Sequence, residues 1–283
     1  MQIVPTDDSV SNSEPEASVD IATLDSIIIQ VEQIVNAGLF GKLYYLAAYP
    51  DVAASGEGAV EHFARQGWRE ERNPNRYFDT AWYLEQLPAE ERGAVNPLLH
   101  YVQVGEPQGL RPIWYFDPSW YRRRYSLGEA ESPLRHFLEN ARSGTVSPVE
   151  EFNVEYYLEH NPEVLQTDLD PFAHYLEIGF REGRDPSAYF PSRRYMDYYL
   201  DGSDAENPLL HYLRQNPRPY LAAIFPDRYE TESPQTGPDE VELVRATCLV
   251  DEAFYLAAFP DVAALGAGAV EHFARQGLSL IHI

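Results

Sequence analysis

Residues 152 to 186 carry the pattern that decides the fold: Phe152-Asn153, Tyr156-Tyr157-Leu158, Asn161-Pro162-Glu163-Val164, Pro171-Phe172-Ala173-His174-Tyr175 and Gly179-Phe180-Arg181-Glu182-Gly183-Arg184-Asp185-Pro186. The same order of landmarks recurs along the chain, and an internal period of this length is the signature of a repeat architecture. Aromatic anchors stand at Phe40, Phe78, Phe116, Phe152 and Phe190, at intervals of 38, 38, 36 and 38 residues. Histidines keep step with them at His62, His100, His136, His174 and His211.

A sixth copy starts near Val250, with Tyr255-Leu256 and His272 in the matching places. It is close to the first copy: Leu46-Ala47-Ala48-Tyr49-Pro50-Asp51-Val52 returns as Leu256-Ala257-Ala258-Phe259-Pro260-Asp261-Val262. After Gly277 the likeness ends, so the sixth repeat reads as truncated and residues 278–283 as a non-native tail.

Each copy reads as two short helices. The first opens on an acceptor side chain, Asp79, Asp117 or Asn153, that can take the free N–H groups of a first turn. The second opens on Asn96-Pro97, Ser132-Pro133, Asp170-Pro171 or Asn207-Pro208, a capping side chain followed by proline where its missing N–H costs nothing. Glycine closes it at Gly67, Gly105, Gly179 and Gly277, which predicts a left-handed C-terminal cap. Helices this short are marginal alone, so neighbours must supply the burial. The expected fold is all-α, a solenoid-like array of six repeats of about 38 residues. Its expected parts are a disordered acidic tail over 1–20, an array over 21–216 led by a helix at 24–37, a linker over 217–237, and a second leading helix with the truncated repeat over 238–277.

The formal charge of -24 disfavours nucleic acid and anionic membrane surfaces as partners. Lys42 is the sole lysine, and the short clusters Arg122-Arg123-Arg124 and Arg193-Arg194 read as solvated helix faces. Cys248 alone allows no internal disulfide and no cysteine-based zinc site. No stretch approaches the roughly 18 apolar residues of a membrane helix, and the start lacks a signal-type pattern, so the expectation is no membrane insertion and a cytoplasmic location.

The histidine column of His62, His100, His136, His174, His211 and His272 could suggest metal ligands. No second ligand recurs three or four residues away, so each ring is expected to be structural, bonded to a carbonyl or a nearby acid, and no metal or cofactor is expected. Asp168-Leu169-Asp170 has the spacing of a metal-positioning Asp-x-Asp motif, yet Asp170 falls at the helix-cap position. Asp201-Gly202-Ser203-Asp204 lacks the ligand series of a calcium loop and reads as a turn. The aromatic columns Tyr44, Trp82, Trp120, Tyr156 and Tyr45, Tyr83, Tyr121, Tyr157, Tyr195 recur in register, which points to packing. Trp114 has Arg76 and Ala188 as counterparts, and it and Trp68 are the aromatics singled out as possible ligand contacts.

These landmarks resemble a tandem repeat of bacterial proteins whose consensus runs Phe-Asp-x-x-Tyr-Tyr-Leu, Asn-Pro-Asp-Val-Ala, Asn-Pro-Leu-x-His-Tyr, Gly-x-x-Glu-Gly-Arg-x-Pro. Such repeats flank glycosyltransferase or sulfotransferase domains of surface-polysaccharide synthesis, or accompany glycine-rich calcium-binding tracts in secreted proteins. The resemblance implies a context rather than an activity. It makes a non-catalytic spacer or protein-interaction scaffold the first expectation. A carbohydrate-binding array and a calcium-associated surface module are the alternatives, and the protein or glycan partner stays open.

Overall fold

The computed structural model describes residues 21–219 and 221–225. The expected acidic tail, second leading helix, sixth copy with His272, and terminal tail lie outside the described residues. The fold is all-α: helices joined by turns, with no strand among the described residues beyond an isolated bridge between Ser187 and Phe190. The chain divides into two compact units, one up to Gln108 and one from Gly109.

In the first unit, α1 (Ile21–Ala37) is the leading helix and starts three residues earlier than the sequence suggests. It lies against α4 (Ala59–His62) and α6 (Pro97–His100), burying Ile34, and its Gln30 side chain meets the Asn96 amide at 3.4 Å. Between these come α2 (Lys42–Ala48), α3 (Pro50–Ser55) and α5 (Thr80–Glu85). The second unit holds α7 (Pro118–Arg124), α8 (Pro133–Asn140), α9 (Val154–His160), α10 (Pro171–His174), α11 (Ser192–Tyr199), α12 (Pro208–Arg214) and α13 (Leu221–Ile224).

Local chemistry starts the helices where the sequence places them. Asp79, Asp117 and Asn153 accept from backbone N–H groups of α5, α7 and α9. Asn96, Ser132, Asp170 and Asn207 do the same for α6, α8, α10 and α12, each followed by proline at the first helical position. Such a cap contributes about 1 kcal/mol. Turns are tied by side chains too: Asn73, Ser147 and Asp185 each accept from a backbone N–H seven residues on, at Thr80, Val154 and Ser192. In the segment anchored by Phe116 that position is Pro118, which has no N–H to offer, and Arg111 replaces the acceptor and pairs with Asp117 at 2.7 Å instead.

The core is a set of aromatic triads, one per segment. The anchor rings Phe40, Phe78, Phe116, Phe152 and Phe190 lie 5.0 to 5.2 Å from Tyr45, Tyr83, Tyr121, Tyr157 and Tyr195 of the first helices. Those tyrosines meet Phe63, Tyr101, Phe137, Tyr175 and Tyr212 of the second helices edge-on, at 5.7 to 6.1 Å and 82 to 88°. Edge-to-face rings suit the aromatic quadrupole and are worth about 0.5–1.5 kcal/mol beyond their burial.

Two expectations need correction. Gly67, Gly105 and Gly179 do not have positive φ; they end π-helical turns over Phe63–Gly67, Tyr101–Gly105 and Tyr175–Gly179 that continue α4, α6 and α10. Glycine is needed there for space: a Cβ at Gly67 or Gly179 would stand 2.1 Å from the hydroxyl of Tyr45 or Tyr157. Where Ala141 takes that place, the π turn is absent and α8 runs into a 3-10 turn closed by left-handed Gly144. The start of the expected linker is also structured, because Leu221 and Phe225 are apolar enough to be drawn into the second unit. Both are buried, with Arg194 over the Phe225 ring.

Gly179→Ala should therefore destabilise the protein by about 1–3 kcal/mol in urea unfolding, as overpacking does. Combined with Tyr157→Phe, which removes the clashing hydroxyl, the loss should be smaller than the sum of the two single losses.

Candidate functional site

The recurring tyrosines and histidines are used in pairs. In every described segment the buried tyrosine hydroxyl of the first helix meets Nδ1 of the histidine on the second: Tyr45–His62 at 3.0 Å, Tyr83–His100 at 2.8 Å, Tyr121–His136 at 3.0 Å, Tyr157–His174 at 2.8 Å and Tyr195–His211 at 2.9 Å. Fifteen to seventeen residues separate the partners. A tyrosine hydroxyl takes the place of the expected carbonyl or acid at each of these rings. His100 alone adds a carboxylate on its far side, with Nε2 3.7 Å from Glu91. Nδ1 is thus occupied, and no cluster of three metal-ligating side chains occurs among the described residues.

Burial pushes the hydroxyls of Tyr45, Tyr83, Tyr121, Tyr157 and Tyr195 well above the ordinary tyrosine value, so each stays protonated and can donate to a neutral imidazole. Burial, aided by Arg184, holds His174 below its usual value. Arg184 itself is engaged by Glu163, Glu182 and the Asn161 side chain. Arg72 does the same in the first segment, gripping Asp51 and Glu70 and covering the Tyr49 ring at 4.9 Å. The hydrogen bond from Arg72 lowers the Asp51 carboxyl; the Glu163 carboxyl is lowered by its own backbone N–H and by Arg184.

The residues singled out in the sequence are not brought together. Trp68 is a core residue, 3% exposed, its indole N–H donating to the Ala64 carbonyl and Arg69 stacked 4.1 Å from its ring. It has no open face for a ligand. Trp114 is half-buried, edge-on to Tyr115, and Arg214 lies 4.8 Å over its ring. Asp170 is the cap of α10, with Asp168 exposed beside Arg142, and Asp201 and Gly202 form a turn with positive φ.

A cleft of about 170 Å³ opens instead in the second unit, between the end of α7 and the start of α9. Trp120 and Arg124 of α7 and the adjoining Tyr125 line it; the buried Val149, Phe152 and Val154 and the exposed Glu150, Asn153 and Glu155 complete the lining. Gly144, at φ 72°, turns the chain into Thr145 and Ser147 on its edge, and a Cβ there would strike Leu158 at 2.3 Å. Tyr125 is committed, its hydroxyl accepting from the Ser147 N–H at 2.7 Å. The sequence reading assigned Trp120 to packing through its recurring column. Arg124 was the available signal, since its counterparts Ala48, Gln86, His160 and Tyr198 show no shared demand for a guanidinium.

No family model, curated protein or solved structure matches the chain.

The tyrosine shifts fix the alkaline behaviour. Below pH about 10 the hydroxyls are neutral in both folded and unfolded chains; above it the unfolded chain ionises first, so stability falls. Tyrosinate absorbance and loss of helical circular dichroism should appear in one transition above pH 10. For His174 the sign is opposite: the unfolded chain takes up the proton first, and its contribution to stability is lost as pH falls below about 6.5. Stability measured in urea across these ranges tests both.

Proposed function

We propose that this chain is a non-catalytic helical module, a stacked array of about 38-residue units that spaces or docks a partner protein. The observation that carries the reading is the fivefold recurrence of the Tyr–His bond with its three-ring core. The recurring tyrosines and histidines are spent on holding each unit together. The sequence from Val250 to Gly277 repeats the same landmarks. The likeness to repeats beside glycosyltransferase and sulfotransferase domains supports a place in a larger bacterial protein of surface-polysaccharide synthesis, where the module positions an enzyme or its partner. No helix of the described residues is long and apolar enough to cross a membrane, in keeping with a module that works in water.

Such an array has nearly additive stability, with each unit supported by its neighbours. A series of chains shortened by one unit at a time should lose melting temperature stepwise, a single unit should be unfolded, and the full chain should show no sugar transfer or hydrolysis with nucleotide sugars or glycans. Turnover by the purified chain, or a single unit as stable as the whole, would contradict the reading.

A further inference from the structure

We infer that the cleft beside Trp120 is a binding site for one neutral hexose unit of a glycan. It stands on the geometry of this cleft and is independent of the scaffold reading. Three observations point to a sugar. First, the lining carries the half-buried indole of Trp120, a flat apolar face that suits the apolar face of a pyranose ring. Second, its unspent polar groups are of both kinds. Among the described residues, Arg124 has no ion pair and only stacks 5.4 Å over Tyr125; the Trp120 indole N–H and the Asn153 amide nitrogen donate to no group; and the Glu150 and Glu155 carboxylates accept from none. A lining that holds both donors and acceptors matches hydroxyls, each of which donates and accepts. A single charge would want one sign only.

Third, size and charge exclude the alternatives. At about 170 Å³ the cleft is smaller than the roughly 300–1,000 Å³ that encloses drug-sized ligands, so it admits one ring and not a nucleotide. Two carboxylates against one guanidinium oppose a phosphate or an acidic sugar, and an ammonium group would serve the carboxylates but leave the Arg124 guanidinium without an acceptor. None of the counterparts of Arg124 in the other described segments is an arginine, so the constellation belongs to this segment of the described chain.

The test is saturation-transfer NMR and tryptophan fluorescence on the full chain with methyl glucoside, galactoside and mannoside, their disaccharides, inorganic phosphate and tetramethylammonium. At least one neutral hexoside should receive saturation on its ring protons and perturb the fluorescence. A disaccharide gripping through one ring only should bind within a few-fold of its monosaccharide. Trp120→Ala should weaken binding at least tenfold. Arg124→Ala and Glu155→Gln, both at exposed positions where folding is not at stake, should each weaken it several-fold. Leu43→Ser, at an 85% exposed position of the other unit, should leave it unchanged. Absence of any hexoside signal, binding of only phosphate or tetramethylammonium, or hexoside binding indifferent to Arg124→Ala and Glu155→Gln would overturn the proposal.

Discussion

A tyrosine hydroxyl buried in an aromatic core must have a hydrogen-bond partner, and here it is a histidine on the next helix. Leaving such a group unpaired costs about 1–3 kcal/mol, a large share of what helices of four to eight residues can supply for themselves. The pairing fixes much else. The tyrosine ring must lie between the anchor phenylalanine and the aromatic of the second helix, and in two segments the hydroxyl leaves no room for a side chain larger than glycine at the helix end. The π turns ending at Gly67 and Gly179 follow from how closely the two helices approach.

The same arrangement limits chemistry. Burial disfavours charge on His174, whose Nδ1 faces the protonated phenol of Tyr157. The guanidiniums of Arg72 and Arg184 are each held by two carboxylates and tie the turn after the second helix to the acidic residue Asp51 or Glu163 after the first. Capacity for recognition is left at the edges, where Trp120 and Arg124 lie beside Glu150 and Glu155 with no internal partner to satisfy.

Local features were legible in the sequence because their causes are local. Asn96-Pro97 or Asp170-Pro171 states a helix start within two residues, and the alternation of anchors and histidines shows which positions face inward. The pairing of Tyr157 with His174 was not legible, although both columns were visible, because it depends on how two helices meet across 17 residues. Gly179 was misread for a related reason: glycine serves both left-handed caps and close contacts, and only the neighbouring hydroxyl distinguishes them. Exposure was equally hidden. Trp68 and Trp114 looked unusual in sequence, yet one is in the core and the other lies under Arg214, whereas Trp120, in a packing column, borders the cleft.

The most direct test of the central claim is a double-mutant cycle on Tyr157→Phe and His174→Leu, with unfolding free energies measured in urea at neutral pH. If the hydroxyl–imidazole bond holds the unit together, each single change strands a buried partner, while the double change replaces both by apolar groups. The two sites should then couple by about 1–3 kcal/mol. Single losses that add to within about 0.5 kcal/mol would contradict the account and leave the pair a bystander of ring packing.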